Sequence, residues 1–298
     1  MIPQGADMFS RDLSPLQLLG PLFNAQSCVD SHGTPAAGGM ASTATSEVRI
    51  GTVQDGAFQP VDGGVARSHS IAELGLPCAL PTGVPPDATL TAPRLAMTLR
   101  GTGLIDDILD AEVLHGMAAE PAGVQGVPNV LPDGRLGKFG WKAQIATLVE
   151  FMGDAFRSEM GLTNPLAPTD FVTDCGAASL VPEMDAVPLE AVTAFMTTLD
   201  PPTPSAACLG SAGAATFRTV GCASCHTPTL RSRGKDAFLF SDLLLHDMGP
   251  GLANGFVLGS ATGQQFRTMP LWRVSDRVHF LRAGQAARRV RRRARATQ

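Results

Sequence analysis

Apolar side chains recur at three- and four-residue steps in two stretches of this chain. Ile145, Leu148, Val149, Met152, Phe156 and Met160 would share one face of a helix over Trp141–Met160, with Gly161 placed to end it. Leu189, Val192, Phe195, Met196 and Leu199 do the same over Pro188–Leu199, where Pro188 suits a first turn. Residues 105–118 carry a weaker helical pattern through Ile105, Ile108, Leu109 and Val113, and residues 13–26 read as a short apolar helix broken near Gly20-Pro21. A further helix over Gly213–Val220 leads into Gly221. The period switches to two at Val48–Val53; Gln54-Asp55-Gly56 then signals a turn before Ala57–Val61, which predicts a small β-hairpin. Gly83 to Pro93 is Pro-rich and reads as irregular, and Pro201-Pro202-Thr203-Pro204 reads as a linker. The pattern predicts a mainly α, loop-rich fold with a boundary near residues 201–210.

Composition agrees with a folded chain. Apolar residues are 44% and charged residues 17% of 298, enough to bury a core, while 32 Gly and 23 Pro demand long loops. The net charge of −4 hides an asymmetry, because seven Arg and no acid lie between Arg282 and Gln298. Without those seven, 16 basic side chains face 27 acidic ones, a net of −11. So acidic a body repels phosphate backbones and excludes nucleic acid as a partner for most of the chain. No run of 18 apolar residues exists, so no spanning helix is expected. Met1–Gly5 shows neither a basic nor an apolar leader segment, so no secretory signal is expected at this start.

The chemistry concentrates in Cys222-Ala223-Ser224-Cys225-His226. Two thiols at this spacing can add to the two vinyl groups of a haem, and the adjoining His can then ligate its iron. A thioredoxin-like redox pair is the first alternative, but such pairs normally follow a strand, and here a helix is predicted before the motif. Half of a zinc site is the second; its only tidy completing ligands are Cys28 and His32. Cys28-Val29-Asp30-Ser31-His32 repeats the motif with Ser in place of the second Cys. It reads either as a second haem site lacking one thioether or as an unused Cys beside a surface His.

With these motifs the chain resembles the bacterial di-haem oxidoreductases, also called thiol oxidoreductases, relatives of di-haem cytochrome c peroxidases. The resemblance runs from about Leu19 to Gly284. It rests on Leu19–Ala25, Gly101–Asp106, Gly134–Lys142, Gly221–Leu230, Ser241–Gly251 and Phe266–Trp272. It implies an exported, periplasmic, mostly helical protein of two cytochrome-c-like lobes, each holding one covalent haem c and its iron. Residues 1–200 would form the amino-terminal lobe, with the hairpin as an insertion. Residues 201–281 would form a truncated carboxy-terminal lobe, and 282–298 a basic, disordered tail. In related peroxidases the amino-terminal haem meets peroxide and the carboxy-terminal one, often His/Met ligated, passes electrons to it. The expected haem ligands are therefore His32 and His226, with Cys28, Cys222 and Cys225 as attachment points. His246 and Met248 are candidates for the far side of the iron, and Met269 is a weaker one. Asp106, at a position where the family is acidic, is either a general acid/base for O–O cleavage or a helix-start Asp without chemistry. A small redox donor protein or a small-molecule reductant would supply electrons.

Three features depart from the family. Ser31 replaces a Cys, the leader is missing, and Phe280-Leu281-Arg282-Ala283-Gly284 turns Arg-rich where the family reads Phe-Leu-His-Asp-Gly. The Arg-rich end is either an out-of-frame product or a basic arm for anionic partners. These departures keep a second reading open: a haem electron carrier, or a decayed paralogue without turnover. His69 and His115 lack any partner pattern and read as solvent-facing. Cys78, Cys175 and Cys208 could supply one disulfide, with the pairing open.

Overall fold

The computed structural model describes residues 1–14, 18–41, 47–77, 80–118, 123–169, 183–277, 279–281, 283–284 and 286–287. Helix α1 (Ile2–Ser10) leads through β1 (Leu22–Phe23) to a single helical turn, α2 (Cys28–His32). Strands β2 (Glu47–Gln54), β3 (Ala57–Ala66), β4 (His69–Ser70) and β5 (Leu90–Arg94) follow. The middle of the chain carries α3 (Thr102–Asp106), α4 (Asp110–Ala118), α5 (Leu148–Met160), α6 (Ala186–Thr197), α7 (Ala206–Leu209) and α8 (Ala212–Thr219). Beyond them come short strands: β6 (Leu230–Ser232), β7 (Lys235–Ala237), β8 (Leu245–Asp247), β9 (Gln265–Arg267), β10 (His279–Phe280) and β11 (Ala286–Ala287).

The expected mainly α fold of two cytochrome-c-like lobes is not what forms. Of the described residues 31% are helical and 21% strand, and the described strands make five small sheets. Three local causes account for the difference. Leu22–Phe23, read as helical, instead pairs antiparallel with Ser70 and His69. The helix expected from Trp141 starts only at Leu148, because Thr147 is its N-cap: Thr147 Oγ1 accepts from Glu150 N–H, and Glu150 Oε2 accepts from Thr147 N–H at 3.1 Å. Upstream, Ala143 has φ 49°, a left-handed conformation that breaks any helix there. Finally, the Pro-rich stretch read as irregular contains β5, an edge strand on β2 in a sheet of order β3-β2-β5. Pro93 is tolerated there because the strand pairs on one side only.

The hairpin itself forms, longer than expected, with Asp55 at φ 53° and Gly56 at φ 77°. Both central residues of a two-residue type I′ loop need that left-handed backbone. Helix α5 ends at Gly161, φ 69°, where the periodicity placed its stop. Arg67, just past β3, donates to the carbonyls of Ser158 and Arg157 at 3.2 and 2.8 Å. It thereby ties the sheet to the last turn of α5, where the Arg157 carbonyl also accepts from the Gly161 N–H at 3.2 Å.

Helix α1 lies on α6 at close range, since a Cβ on Gly5 would sit 1.9 Å from the Ala191 carbonyl oxygen. Phe9, Phe23, Leu148, Phe156 and Met196 fill the main core together with Leu239, Leu244 and Trp272. That core draws on both sides of the boundary expected near 201. Arg282, Gln285 and 288–298, the bulk of the expected basic tail, lie outside the described residues, as do Cys78 and Cys175. Cys208 is an exposed free thiol, and no described helix is long and apolar enough to cross a membrane.

Candidate functional site

The amino-terminal motif is folded by its own polar residues. Ser27 caps α2, and Asp30 Oδ2 accepts from the backbone N–H groups of Ser27 and Gln26 at 2.9 and 3.1 Å. The resulting single turn puts Cys28 and His32, four residues apart, on one face. That face borders a cavity of about 1590 Å³, counting its open mouth, which Ser31 also lines. His32 Nδ1 is tied to the Met97 carbonyl at 3.0 Å, the Gly39 carbonyl also bears on the ring, and Nε2 is the nitrogen that would ligate a metal. Burial lowers the His32 pKa to about 4, against a smaller pull from the Gly39 and Met97 carbonyls, so the ring is neutral as a ligand must be. Burial, helped by the charge of Asp30, pushes the Cys28 thiol up to about 12.

The cavity walls come from distant parts of the chain. Phe139 and Phe151 stack at 5.6 Å, and Trp141, Trp272 and Met269 add further apolar surface. Charged side chains line it too. Lys142, fully buried, donates to the carbonyls of Thr262 and Gln265 at 2.6 and 2.7 Å and lies over the Phe266 ring. Glu159 faces the same space. Burial first, and then repulsion from Glu47, raise its pKa to about 8 against the pull of Arg49. Arg267 and Arg277 also line the cavity, and burial alone lowers each to about 10.

The carboxy-terminal motif has different surroundings. Gly221, φ 86°, turns the chain into a 3-10 turn over Cys222–Ser224, and His226 N–H donates to the Cys222 carbonyl at 3.0 Å. His226 Nδ1 is held by the Phe240 carbonyl at 2.8 Å, again leaving Nε2 for a metal. None of these residues lines the large cavity. Cys222 is exposed, and α8, which leads into the motif, has no buried residue.

The remaining candidates fall in three places. His246 is buried with Nε2 2.8 Å from Asp242 Oδ2 and Nδ1 3.6 Å from Cys225 Sγ. These three residues form the one metal-compatible group found among the described residues, and they place His246 beside a motif thiol. Met248 is 47% exposed next to it. Met269 belongs instead to the amino-terminal cavity, its Sδ accepting from Arg267 Nη2 at 3.2 Å. Asp106 does not line the cavity; its Oδ1 accepts from Leu148 N–H at 2.8 Å and fixes the start of α5. His69, paired with Glu73, and His115 are solvent-exposed. Sequence reasoning missed Glu159, Arg267 and Arg277. For Arg267 a signal existed, since it lies in the Phe266–Trp272 block that carried the family resemblance.

At both motifs a histidine stands four residues from a cysteine, with its Nδ1 on a backbone carbonyl. Residues 89–289 match the family model described as "Di-haem oxidoreductase, putative peroxidase", and the chain belongs to that family. Cys222, Cys225 and His226 fall inside the matched span, and Cys28 and His32 precede it. Neither the curated proteins nor the solved structures contain a match. The residues present suit the cofactors that the family name implies. Each site offers an imidazole oriented by a carbonyl, and the amino-terminal one adds a cavity whose wall includes Phe139, Trp141, Phe151 and Trp272.

Proposed function

We propose that this chain is a periplasmic c-type haem redox protein of peroxidase type. The observation that carries this is the repeated element: a Cys and a His four residues apart, with the His Nδ1 on a backbone carbonyl, at Cys28/His32 and at Cys222/His226. Haem bound at the two sites would supply one-electron chemistry, taking electrons from a donor at the carboxy-terminal motif and reducing peroxide at the amino-terminal one. The chain's own residues divide the labour accordingly. His32 and His226 present Nε2, while Cys28, Cys222 and Cys225 offer sulfur for thioethers. The exposed apolar surface of Val220 and Met248, beside the carboxy-terminal motif, suits docking of a small donor protein or reductant.

Between the sites runs the segment Phe238–Phe240. Its Phe240 carbonyl holds the His226 ring, and its Phe238 carbonyl accepts from Trp272 Nε1 at 2.7 Å. Trp272 in turn lines the cavity, so it is the side chain that bridges the two regions. For proton handling the geometry favours Glu159 over Asp106. Glu159 faces the cavity with Oε2 engaged by Asn24 Nδ2 at 3.2 Å, which leaves Oε1 to carry the proton. Asp106 acts as a positioning residue for α5.

Ser31 favours the second reading, an electron carrier or a catalytically impaired paralogue. It lines the cavity at the place of the family's second thiol, and its hydroxyl forms no thioether. The two readings separate in a steady-state assay of peroxide-dependent donor oxidation by the haem-loaded chain. Turnover that is lost in both His32→Ala and His226→Ala supports the peroxidase reading. No turnover in the parent or in Ser31→Cys supports the carrier.

A further inference from the structure

The amino-terminal cavity contains two cations that the protein itself leaves without an acid. Arg267, on β9, and Arg277 are 7% and 9% exposed. Arg267 spends Nη1 on the Lys138 carbonyl at 2.5 Å and Nη2 on Met269 Sδ; Arg277 gives Nη2 to the Pro270 carbonyl at 3.2 Å. The Nε of each is buried and has no hydrogen-bond partner. Burial is the sole influence on either guanidinium, so among the described side chains no carboxylate offsets its charge. The other charges on the cavity wall are already engaged: Arg49 pairs with Glu47, and Asp154 with Arg157. A buried cation without a counter-charge costs several kcal/mol and persists only where something anionic completes it. Both arginines grip the same short segment, Met269–Pro270, so they present their forks from one wall. A planar fork with a spare N–H is the donor geometry that carboxylates match.

We propose that Arg267 and Arg277 bind the two propionate carboxylates of the haem at the amino-terminal site, an assignment that rests on the reading that Cys28 and His32 carry a haem. The charges of this pair then balance, two guanidinium groups against two carboxylates. The pair fixes which edge of the macrocycle faces Met269, and it retains a haem that has one thioether fewer than its counterpart. Both arginines are therefore positioning residues with no part in the chemistry.

The test uses the full chain, matured with haem and carrying Cys28→Ala, so that the amino-terminal haem is held without a thioether. Its release to excess apomyoglobin is followed by absorbance. Arg267→Gln and Arg277→Gln should each speed release by roughly tenfold or more, the loss expected for one charge-assisted hydrogen bond. Arg→Lys at either position should fall between, keeping the charge without the fork. A second measurement needs no arginine substitution: the emptied site is reloaded with haem or with haem dimethyl ester, whose propionates are capped. The ester should leave faster by a similar factor. Release rates within twofold for both Gln variants, or for haem and ester, would overturn the assignment while leaving the site itself intact. A Cys28→Ala chain that retains a single haem, freed only by cleaving the Cys222 and Cys225 thioethers, overturns the amino-terminal site and this assignment together.

Discussion

Cys28 and His32 belong to the wall of a large cavity, whereas Cys222, Cys225 and His226 sit on a surface turn after a helix with no buried face. The enclosed site has half of the covalent motif, and the open site has all of it. If both sites carry haem as proposed, they hold the same large, flat, apolar group in two ways. Enclosure would remove apolar surface from water at about 2.5 kcal/mol per 100 Å², and would add buried cations to the imidazole that both sites offer. An open turn gains little from burial and depends on covalent bonds. Losing one thiol is therefore tolerable at Ser31, whereas the same loss at Cys222 or Cys225 would not be.

Removing both carboxy-terminal thiols breaks this contrast most severely. Cys222→Ala/Cys225→Ala should lose the whole of the haem at that site, so haem per chain measured as pyridine haemochrome should halve. A double variant that keeps its full content would show that the open site does not need its sulfur.

Ser31→Cys sharpens the comparison from the other side, because it gives the enclosed site a second thioether without altering its walls. Reaction geometry is sensitive to displacements of about 1 Å, worth on the order of a hundredfold in rate. Peroxide turnover should therefore rise by up to that factor. Unchanged turnover would show that the lost thiol does not limit the positioning of the group.

A smaller effect is expected at Gly101, φ 86°, where an added Cβ would lie 2.3 Å from the Trp272 ring. Gly101→Ala should cost about 1–3 kcal/mol through overpacking and left-handed strain, read as a lower melting temperature. By pushing Trp272 towards the cavity, it should also perturb the amino-terminal haem spectrum and leave the carboxy-terminal one alone. Equal perturbation of both would mean that the two regions are coupled more tightly than their packing indicates.

The smallest effect concerns pH. Glu159 has its folded pKa raised to about 8, from an ordinary value of 4.5. The folded state thus binds this proton more tightly than the unfolded one. Its contribution to stability is complete below about pH 4.5 and is lost as pH rises through about 8. The melting temperature should fall over that window, and Glu159→Gln should flatten the fall. A parallel slope in the variant would assign the pH dependence to other groups.

Local signals in the chain were read correctly where the physics is local. The Asp55-Gly56 turn, the Gly161 stop of α5 and the 3.6-residue periodicity of α6 each depend on a few neighbouring residues. The fold class was misread because short strands such as Leu22–Phe23 and Leu245–Asp247 owe their pairing to partners far along the chain. Trp141 and Lys142 extend a helical apolar pattern, yet they leave the helix to line the cavity, since burial among Phe139, Phe266 and Trp272 outweighs propensity. The two Cys/His pairs are legible from spacing alone, since each sits on a single local turn. The cavity was not, because its walls are drawn from α1, α2, β5, α5 and the 258–277 stretch, which only folding brings together.

Haem content before and after acid-acetone extraction, measured on the matured Cys28→Ala chain, tests the central claim most directly. If enclosure holds the amino-terminal haem, two haems per chain should be present under native conditions. Extraction should remove one of them and leave the other bound through Cys222 and Cys225. One haem per chain before extraction, or two that both survive it, would contradict the account.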